Sequence, residues 1–303
     1  MENKKIILIT GSSGMVGGAL LKALAAKGYK SRSLVRREPE NADEFGWEPE
    51  KGELDPAALE DLYGVVHLAG ENIAEGRWGQ EKKKRIWTSR EGPTALLATR
   101  CQELASPPKV FVSASATGFY GNRGEEQVDE TSAAGEGYLA DLCRAWERAA
   151  DKAQGENTRV VKVRIGPVLS PSGGLLEKVL PIFRKGLGGK LGSGKQFMPW
   201  ISEEDLVRVF LFVLETESLC GPINAVAPEP AINELFTKTL GALLHRPTIF
   251  PAPAFALRTA FGEMADEMLL GGAKVVPKVL LENGFTFQHT ELEKGLRWAL
   301  KNE

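Results

Sequence analysis

The sequence has few residues of the types that hold metals or form disulfides. It contains three cysteines and three histidines among 303 residues, and Cys101, Cys143 and Cys220 show no paired spacing. Scattered cysteines are typical of a reducing compartment, and they predict neither a zinc site nor a disulfide-stabilised fold. We therefore expect a cytoplasmic protein without a metal centre.

Strong net charge and long apolar segments are also missing. The net charge is −2, with 26% charged and 43% hydrophobic residues, which are ordinary values for a globular protein. No long run of like charges favours binding to nucleic acid or to an anionic membrane, and no apolar run reaches membrane-spanning length. The first predicted strand begins close to the first residue, so we expect no signal peptide. The remaining expectation is a monomer or homodimer that binds a small-molecule substrate.

The most informative stretch is a glycine-rich turn near the start of the chain. An apolar run at Ile6–Ile9 predicts a buried parallel strand, and Gly11, Gly14 and Gly17 follow it at three-residue spacing. Apolar residues at helical intervals come next, and Gly28 ends that helix. A strand, glycine turn and helix in this order predict a phosphate cradle, in which free N–H groups of the helix face the anion. The residues predicted to hold a pyrophosphate are Gly11, Ser13, Gly14, Met15, Val16 and Gly17. The alternative is a glycine-rich turn that binds no ligand.

Two arginines indicate which dinucleotide this cradle prefers. Arg36 and Arg37 follow the predicted strand Lys30–Val35, about 20 residues past the glycines, where an NAD site has an acidic residue against the ribose 2′-hydroxyl. A guanidinium at that position suits a 2′-phosphate through bidentate hydrogen bonds. The pattern therefore favours NADP(H), and the alternative is a pair of solvated arginines at the end of a strand.

Alternating strands and helices continue to about residue 166 and predict the fold. Further apolar runs that end in small residues predict parallel strands at 65–70, 110–115 and 159–165, with helices at 80–105 and 137–154. Pro93 is expected to bend or split the first of these helices. We predict an α/β fold with a doubly wound parallel sheet and a smaller C-terminal substrate-capping lobe. The predicted domains are a cofactor-binding domain over residues 1–166, with return elements at about 203–226, and a lobe over 167–303.

Several motifs resemble the extended short-chain dehydrogenase/reductase superfamily. They are Thr10–Gly17, His67–Gly70, Ser113–Thr117 and Arg164–Gly166. The chain is similar in particular to the atypical epimerase family protein branch, often labelled nucleotide-sugar epimerases. That similarity extends through Ala116–Gly121, Pro199–Ile201 and a branch-specific C-terminal segment over 250–303.

The resemblance implies roles for individual residues. The superfamily uses a serine and a Tyr-x-x-x-Lys pair, and Ser115 and Tyr138 fall on the serine and tyrosine positions. Leu142 stands where the lysine is expected, so nothing at that position lowers the pKa of Tyr138 from its free value of about 10. Tyr138 is then an acid rather than a base, or an aromatic that packs over the cofactor. Ser115 is either catalytic or a strand-end hydroxyl that caps local backbone. Residues implied to flank the cofactor are Leu68, Ala69, Gly70, Glu71 and Arg164, the last of which is otherwise structural or a clamp for an anionic substrate.

Two functions remain open at this point. The first is an NADP(H)-dependent oxidoreductase or epimerase-like enzyme that acts on a hydroxyl or carbonyl of a small polar substrate. The second is a non-catalytic NADP(H)-binding regulatory or sensor protein, in which cofactor occupancy orders the C-terminal lobe. Cofactor binding is common to both, so only turnover separates them.

Overall fold

The computed structural model describes residues 5–301, so the first four and last two residues of the predicted domains lie outside the described part. The strands are β1 (Ile6–Thr10), β2 (Lys30–Val35), β3 (Glu44–Glu48), β4 (Glu53–Leu54), β5 (Leu62–His67), β6 (Val110–Ala116), β7 (Gln127–Val128), β8 (Arg159–Ile165), β9 (Val168–Ser170), β10 (Phe197–Met198), β11 (Ile201–Ser202), β12 (Gly221–Ala225), β13 (Ala231–Ile232) and β14 (Lys274–Val275). The α-helices are α1 (Met15–Ala26), α2 (Gln80–Gln102), α3 (Tyr138–Ala150), α4 (Gly174–Arg184), α5 (Glu203–Glu215), α6 (Asn233–Leu243), α7 (Ala254–Phe261), α8 (Lys278–Glu282) and α9 (Leu292–Lys301).

An eight-stranded sheet forms the centre of the molecule, in the order β12-β8-β6-β5-β1-β2-β3-β4. Neighbouring strands are parallel, except that β4 runs antiparallel to β3 at the edge. The chain fills the sheet outward from β1 in one direction and then returns to fill the other side from β5. The predicted doubly wound parallel sheet is confirmed, and its switch point lies between β1 and β5.

Alternating side chains of the strands build a core on each face of the sheet. Ile7 and Ile9 of β1 pack with helices α1 and α5, through residues such as Leu20 and Phe210. Leu8 points the other way, into a cluster that includes Leu97 of α2. Burial on both faces explains why β1 is an unbroken apolar run rather than an alternating one.

The C-terminal part of the chain forms a separate cluster around Trp200, which is fully buried. The short strand β14 pairs with β7, so this lobe is joined to the segment that precedes α3. Within residues 5–301, no helix is long and apolar enough to span a bilayer.

Helix α2 is continuous through Pro93, so of the two expected outcomes, a bend or a split, the split does not occur. The helix runs from Gln80 to Gln102 with Pro93 inside it. The Thr94 hydroxyl donates to the carbonyl of Arg90 at 2.6 Å within the same turn. A missing N–H removes one bond of the helix ladder, and the packing of α2 on the sheet outweighs that loss.

Candidate cofactor site

The glycine turn between β1 and α1 has the geometry of a phosphate cradle. Gly11 has φ +68°, and a Cβ at Gly17 would lie 2.2 Å from the carbonyl oxygen of Gly11. Neither position tolerates a side chain without a shift of backbone, so the glycine spacing is a steric requirement of this turn. Gly14 caps α1 without a side-chain hydrogen bond. The first-turn N–H groups of α1 are therefore available to an anion, and the residues present fit a pyrophosphate.

A threonine that the sequence analysis overlooked connects this turn to the loop after β5. The Oγ1 atom of Thr10 accepts the N–H groups of Leu68 at 3.1 Å and Ala69 at 3.0 Å. With two N–H groups accepted, the hydroxyl donates its own proton to Nδ1 of His67 at 2.8 Å. This places Leu68 and Ala69 beside Gly11 at the switch point. Their predicted contact with the cofactor, and that of Gly70, stays a prediction. The sequence could not predict this role, because an apolar strand that ends in a threonine does not show which groups its hydroxyl contacts.

His67 is a core residue rather than a candidate catalyst. Its side chain is fully buried, and desolvation lowers its pKa to about 3. The ring is therefore neutral, with Nδ1 accepting from Thr10 and the proton on Nε2. That buried Nε2 atom has no hydrogen-bond partner within residues 5–301, although Trp47 packs edge-on against the ring.

The two arginines predicted to bind a 2′-phosphate lie in different surroundings. Arg37 donates to both carboxylate oxygens of Glu44, at 2.8 and 2.7 Å, and this bidentate pair lowers the pKa of Glu44. Arg36 is exposed at the end of β2. A 2′-phosphate bound at this end of β2 would compete with Glu44 for Arg37. Their role in binding stays a prediction.

Ser115 and Arg164 come together in a buried network on adjacent strands. The Ser115 hydroxyl donates to Oε1 of Glu147 at 2.8 Å, and the guanidinium of Arg164 donates to both Glu147 oxygens at 2.8 and 2.9 Å. Arg164 also donates to the Tyr120 hydroxyl at 2.9 Å, and that hydroxyl donates to Asn224. Arg164 is 4% exposed, and these partners accept three of its five N–H groups, with Glu147 as its counterion. The contacts favour the structural alternative for Arg164, and its predicted contact with the cofactor stays untested.

Tyr138 does not join this network. Its hydroxyl donates to the backbone carbonyl of Lys83 in α2 at 2.7 Å, and its ring packs against Trp78. Leu142, one turn later, belongs to the same apolar cluster between α2 and α3. The pKa of Tyr138 is raised to about 12, mainly by burial, so the hydroxyl is protonated at neutral pH. This geometry favours the packing alternative, and a catalytic role for Tyr138 stays a prediction.

The face of α3 that meets the end of β6 carries other residues. A Cβ at Gly118 would lie 3.2 Å from Leu139, and the Cys143 thiol donates to the carbonyl of Ala116 at 3.7 Å. Leu139, Cys143 and Glu147 recur every four residues and so form one stripe of the helix. Tyr138 stands one position before this stripe, about 100° around the helix, and faces α2 instead.

Glu71 and Arg90 connect the loop after β5 to α2. The Glu71 carboxylate accepts from Lys82 at 2.8 Å, which lowers its pKa, and its backbone carbonyl accepts from Arg90 at 2.9 Å. Sequence reasoning included Glu71 among the residues flanking the cofactor but assigned no role to Arg90. The signal for Arg90 was its place on the buried stripe of α2, one turn after Ile86.

Parts of the C-terminal half contact the start of α1 and the start of α3. A Cβ at Gly173 would lie 3.2 Å from the sulfur of Met15, so the loop before α4 covers the start of α1. At the start of α3, the Glu267 carboxylate accepts the N–H groups of Tyr138 and Leu139 at 3.1 Å each, which caps α3 from the C-terminal lobe.

These features define a class of protein. A doubly wound sheet with a glycine-rich first crossover beside its switch point is the architecture of dinucleotide-binding α/β proteins. Residues 7–224 match the model of the NAD dependent epimerase/dehydratase family, and residues 252–299 match a domain of unknown function (DUF1731). The chain belongs to the NAD dependent epimerase/dehydratase family, which confirms the family resemblance.

Individual relatives match almost the whole chain. The epimerase family protein MT2273 of Mycobacterium tuberculosis (strain CDC 1551 / Oshkosh) is 44% identical over 294 residues, covering 97% of each chain. The crystal structure of human epimerase family protein SDR39U1 (isoform 2) with NADPH has a TM-score of 0.91 and 34% identity, covering 98% of this chain and 100% of that chain. A nucleoside-diphosphate sugar epimerase from Corynebacterium glutamicum has a TM-score of 0.81 and 32% identity, covering 98% of this chain and 58% of that chain. The NADPH in the human structure agrees with the predicted cofactor.

Proposed function

We propose that the chain binds NADP(H) across the β1–β5 crevice and transfers a hydride between the cofactor and the hydroxyl or carbonyl carbon of a small polar substrate. The observation that carries this proposal is the uncapped start of α1 beside a turn in which Gly11 and Gly17 admit no side chain. The NADPH in the human relative, which shares 34% of its residues with this chain, supports the choice of cofactor. Arg36 and Arg37 are the residues that hold the 2′-phosphate in this proposal.

The protonation state of Tyr138 favours the reducing direction. In this proposal NADPH would supply the hydride when bound, the Tyr138 hydroxyl would give its proton to the carbonyl oxygen, and the products would be the alcohol and NADP⁺. A tyrosine whose pKa is about 12 has a proton to give at neutral pH, and it is a poor acceptor of one. An epimerase cycle needs both directions at one carbon, so these residues favour net reduction. To protonate the substrate, the Tyr138 hydroxyl must break its hydrogen bond to the Lys83 carbonyl and donate to the substrate oxygen instead.

A specific observation supports the second function, NADP(H)-dependent regulation without turnover. The Tyr138 hydroxyl is already bonded to Lys83, and Leu142 offers no cation to activate it. The same end of α3 is bound by Glu267, and Lys83 forms an ion pair with Glu263 at 2.9 Å. In this function, cofactor binding orders the C-terminal lobe through these contacts, and a partner protein recognises the ordered lobe.

Turnover separates the two functions. We would incubate purified protein with NADPH and a panel of aldehydes, ketones and nucleotide sugars, and follow the oxidation of NADPH. Tyr138→Phe tests the acid, and Tyr63→Phe is the control, because the Tyr63 hydroxyl donates to the carbonyl of Leu214 at 3.4 Å, away from the crevice. Oxidation that is lost only in Tyr138→Phe supports the reductase. Oxidation that survives in Tyr138→Phe keeps the reductase and removes Tyr138 as its acid. No oxidation across the panel, with NADPH binding intact, supports regulation.

A further inference from the structure

Arg90 is a buried cation that forms no ion pair within residues 5–301, and the Glu71 carboxylate acts on it only at longer range. Its side chain is 9% exposed, and no carboxylate in residues 5–301 lies within 4.0 Å of its guanidinium. Its acceptors are all neutral: the carbonyl of Ile86 at 3.1 Å, the hydroxyl of Ser89 at 3.3 Å and the carbonyl of Glu71 at 2.9 Å. These bonds use three of the five N–H groups. Nε–H and one N–H of Nη2 therefore have no acceptor in the described part of the chain.

The other buried arginine of the site shows how unusual this is. Arg164 is 4% exposed, but Glu147 neutralises it through two hydrogen bonds. A buried charge without a counterion costs several kcal/mol, because the transfer out of water is not offset by an ion pair. Consistent with that cost, burial lowers the pKa of Arg90. A fold that tolerates such a group gains from it when a ligand supplies the missing acceptor.

The position of Arg90 identifies where that acceptor would be. A Cβ at Gly70 would lie 3.2 Å from Cζ of Arg90, so the guanidinium lies directly against the exposed loop that Thr10 holds beside the glycine turn. The face of the guanidinium covers the ring of Trp146 at 5.1 Å. Ile86 with Leu142, and one turn later Arg90 with Trp146, are successive layers of the contact between α2 and α3.

The sheet order indicates which part of the cofactor passes this point. A dinucleotide lies across the switch point, with its two halves on opposite sides of β1. Arg36 and Arg37 end β2, on one side of β1, so the adenosine half belongs there. Arg90 is in α2, which connects β5 to β6 on the other side. The half of NADP(H) that carries the nicotinamide ribose and its phosphate is therefore on the side of Arg90.

We propose that Arg90 binds an oxygen of the nicotinamide ribose–phosphate half of NADP(H) and supplies, from α2, the cation that Leu142 leaves absent from α3. This inference rests on the proposed function, because it needs the cofactor to lie across the crevice. The two unused N–H groups offer a charge-assisted hydrogen bond to a phosphate or ribose oxygen. Gly70 is required so that no side chain separates the guanidinium from the ligand.

The test compares two ligands that share only the adenosine half. Isothermal titration calorimetry gives the Kd of NADPH and of adenosine 2′,5′-bisphosphate for the wild type and for Arg90→Met. We expect Arg90→Met to raise the Kd of NADPH by about 10- to 100-fold, as for the loss of a hydrogen bond to a charged group. The Kd of the bisphosphate should stay within about twofold of the wild-type value. The control is Arg100→Met, because Arg100 is an exposed arginine on the same helix whose ion pair with Glu103 is 3.5 Å long. That variant should bind both ligands as the wild type does.

Thermal unfolding without ligand separates a binding role from a structural one. If Arg90 serves the ligand, Arg90→Met removes an uncompensated charge and leaves the melting temperature unchanged or higher. A lower melting temperature together with equal losses for both ligands would overturn the inference. If Arg90→Met does not fold, Arg90→Lys takes its place in the test. It keeps the charge without the planar guanidinium, so it should bind NADPH more weakly than the wild type does. Wild-type protein that binds no NADPH contradicts the proposed function itself, whereas equal NADPH binding by wild type and Arg90→Met contradicts only this inference.

Discussion

Gly17 and Gly18 are adjacent glycines of α1 for which the structure predicts opposite effects of alanine. A Cβ at Gly17 would lie 2.2 Å from the carbonyl oxygen of Gly11 and 2.8 Å from Cα of Ser12, and both are backbone atoms that cannot rotate away. A Cβ at Gly18 would lie 3.7 Å from the carbonyl oxygen of Ser12, which is an ordinary contact. The two substitutions make the same chemical change in the same helix, so intrinsic helix propensity cancels between them.

The expected magnitudes follow from these distances. Gly18→Ala should stabilise the protein by about 0.4–1 kcal/mol, because alanine reduces the freedom of the unfolded chain at a helical position. Gly17→Ala gains the same amount but must displace the turn, and overpacking of this kind costs about 1–3 kcal/mol or more. The free energies of unfolding should therefore differ by about 1–3 kcal/mol in favour of Gly18→Ala. Because the displaced atoms form the phosphate cradle, Gly17→Ala should also lower the affinity for NADPH by about tenfold or more.

Urea unfolding and NADPH titration of both variants measure these two effects. Equal stability of Gly17→Ala and Gly18→Ala would show that the turn is not held against α1 as described. Unchanged NADPH affinity in a destabilised Gly17→Ala would show that the turn packs closely but does not hold the cofactor.

Two further predictions concern buried polar groups. Glu147→Gln leaves the guanidinium of Arg164 buried without a counterion, so it should destabilise the protein by about 3–5 kcal/mol in urea unfolding. The control Glu293→Gln loses only an exposed pair with Arg297. A similar loss of stability in both variants would contradict the network. Native His67 has a pKa of about 3, whereas an unfolded histidine has one of about 6.5, so only the unfolded state binds a proton between these values. Stability should therefore fall as the pH drops from 7 to 5, with a slope that His67 raises by up to about 1.4 kcal/mol per pH unit. His67→Gln should have a shallower slope, and an unchanged slope would be inconsistent with a buried neutral ring.

Much of the sheet could be predicted because its central strands are buried on both faces. β1 is apolar from Ile6 to Ile9 and β6 begins with the apolar run Val110–Val112, without alternation in either, and the glycine spacing after β1 reflects the close contact of Gly11 with Gly17. The edge strands β3 and β4 escaped notice, because Glu44–Glu48 has charged residues at both ends and glycine in the middle. Helix α4 was not predicted, because it lies between two glycine-rich stretches of the sequence. Its apolar face packs in the C-terminal cluster, and that packing stabilises the helix.

The chemistry of the site was harder to predict, because it depends on contacts between distant positions. The partner of the Tyr138 hydroxyl is the carbonyl of Lys83, 55 residues away, and motif position alone does not indicate which way a side chain faces. Arg164 was assigned to the cofactor through the family resemblance, and only the structure brings it to Glu147, 17 residues earlier. The sequence assigned no role to Arg90, since arginine side chains are mostly solvent-exposed.

The most direct test of the central claim is calorimetric titration with NADPH and NADH of the wild type and of the Arg36→Ala, Arg37→Ala double variant. We predict that the wild type binds NADPH more tightly than NADH. The double variant should lose about 10- to 100-fold in affinity for NADPH with little change for NADH, because only NADPH carries the 2′-phosphate that the two guanidinium groups hold. No heat with either NADPH or NADP⁺ would contradict the dinucleotide site, and equal losses for NADPH and NADH would contradict the role of these arginines.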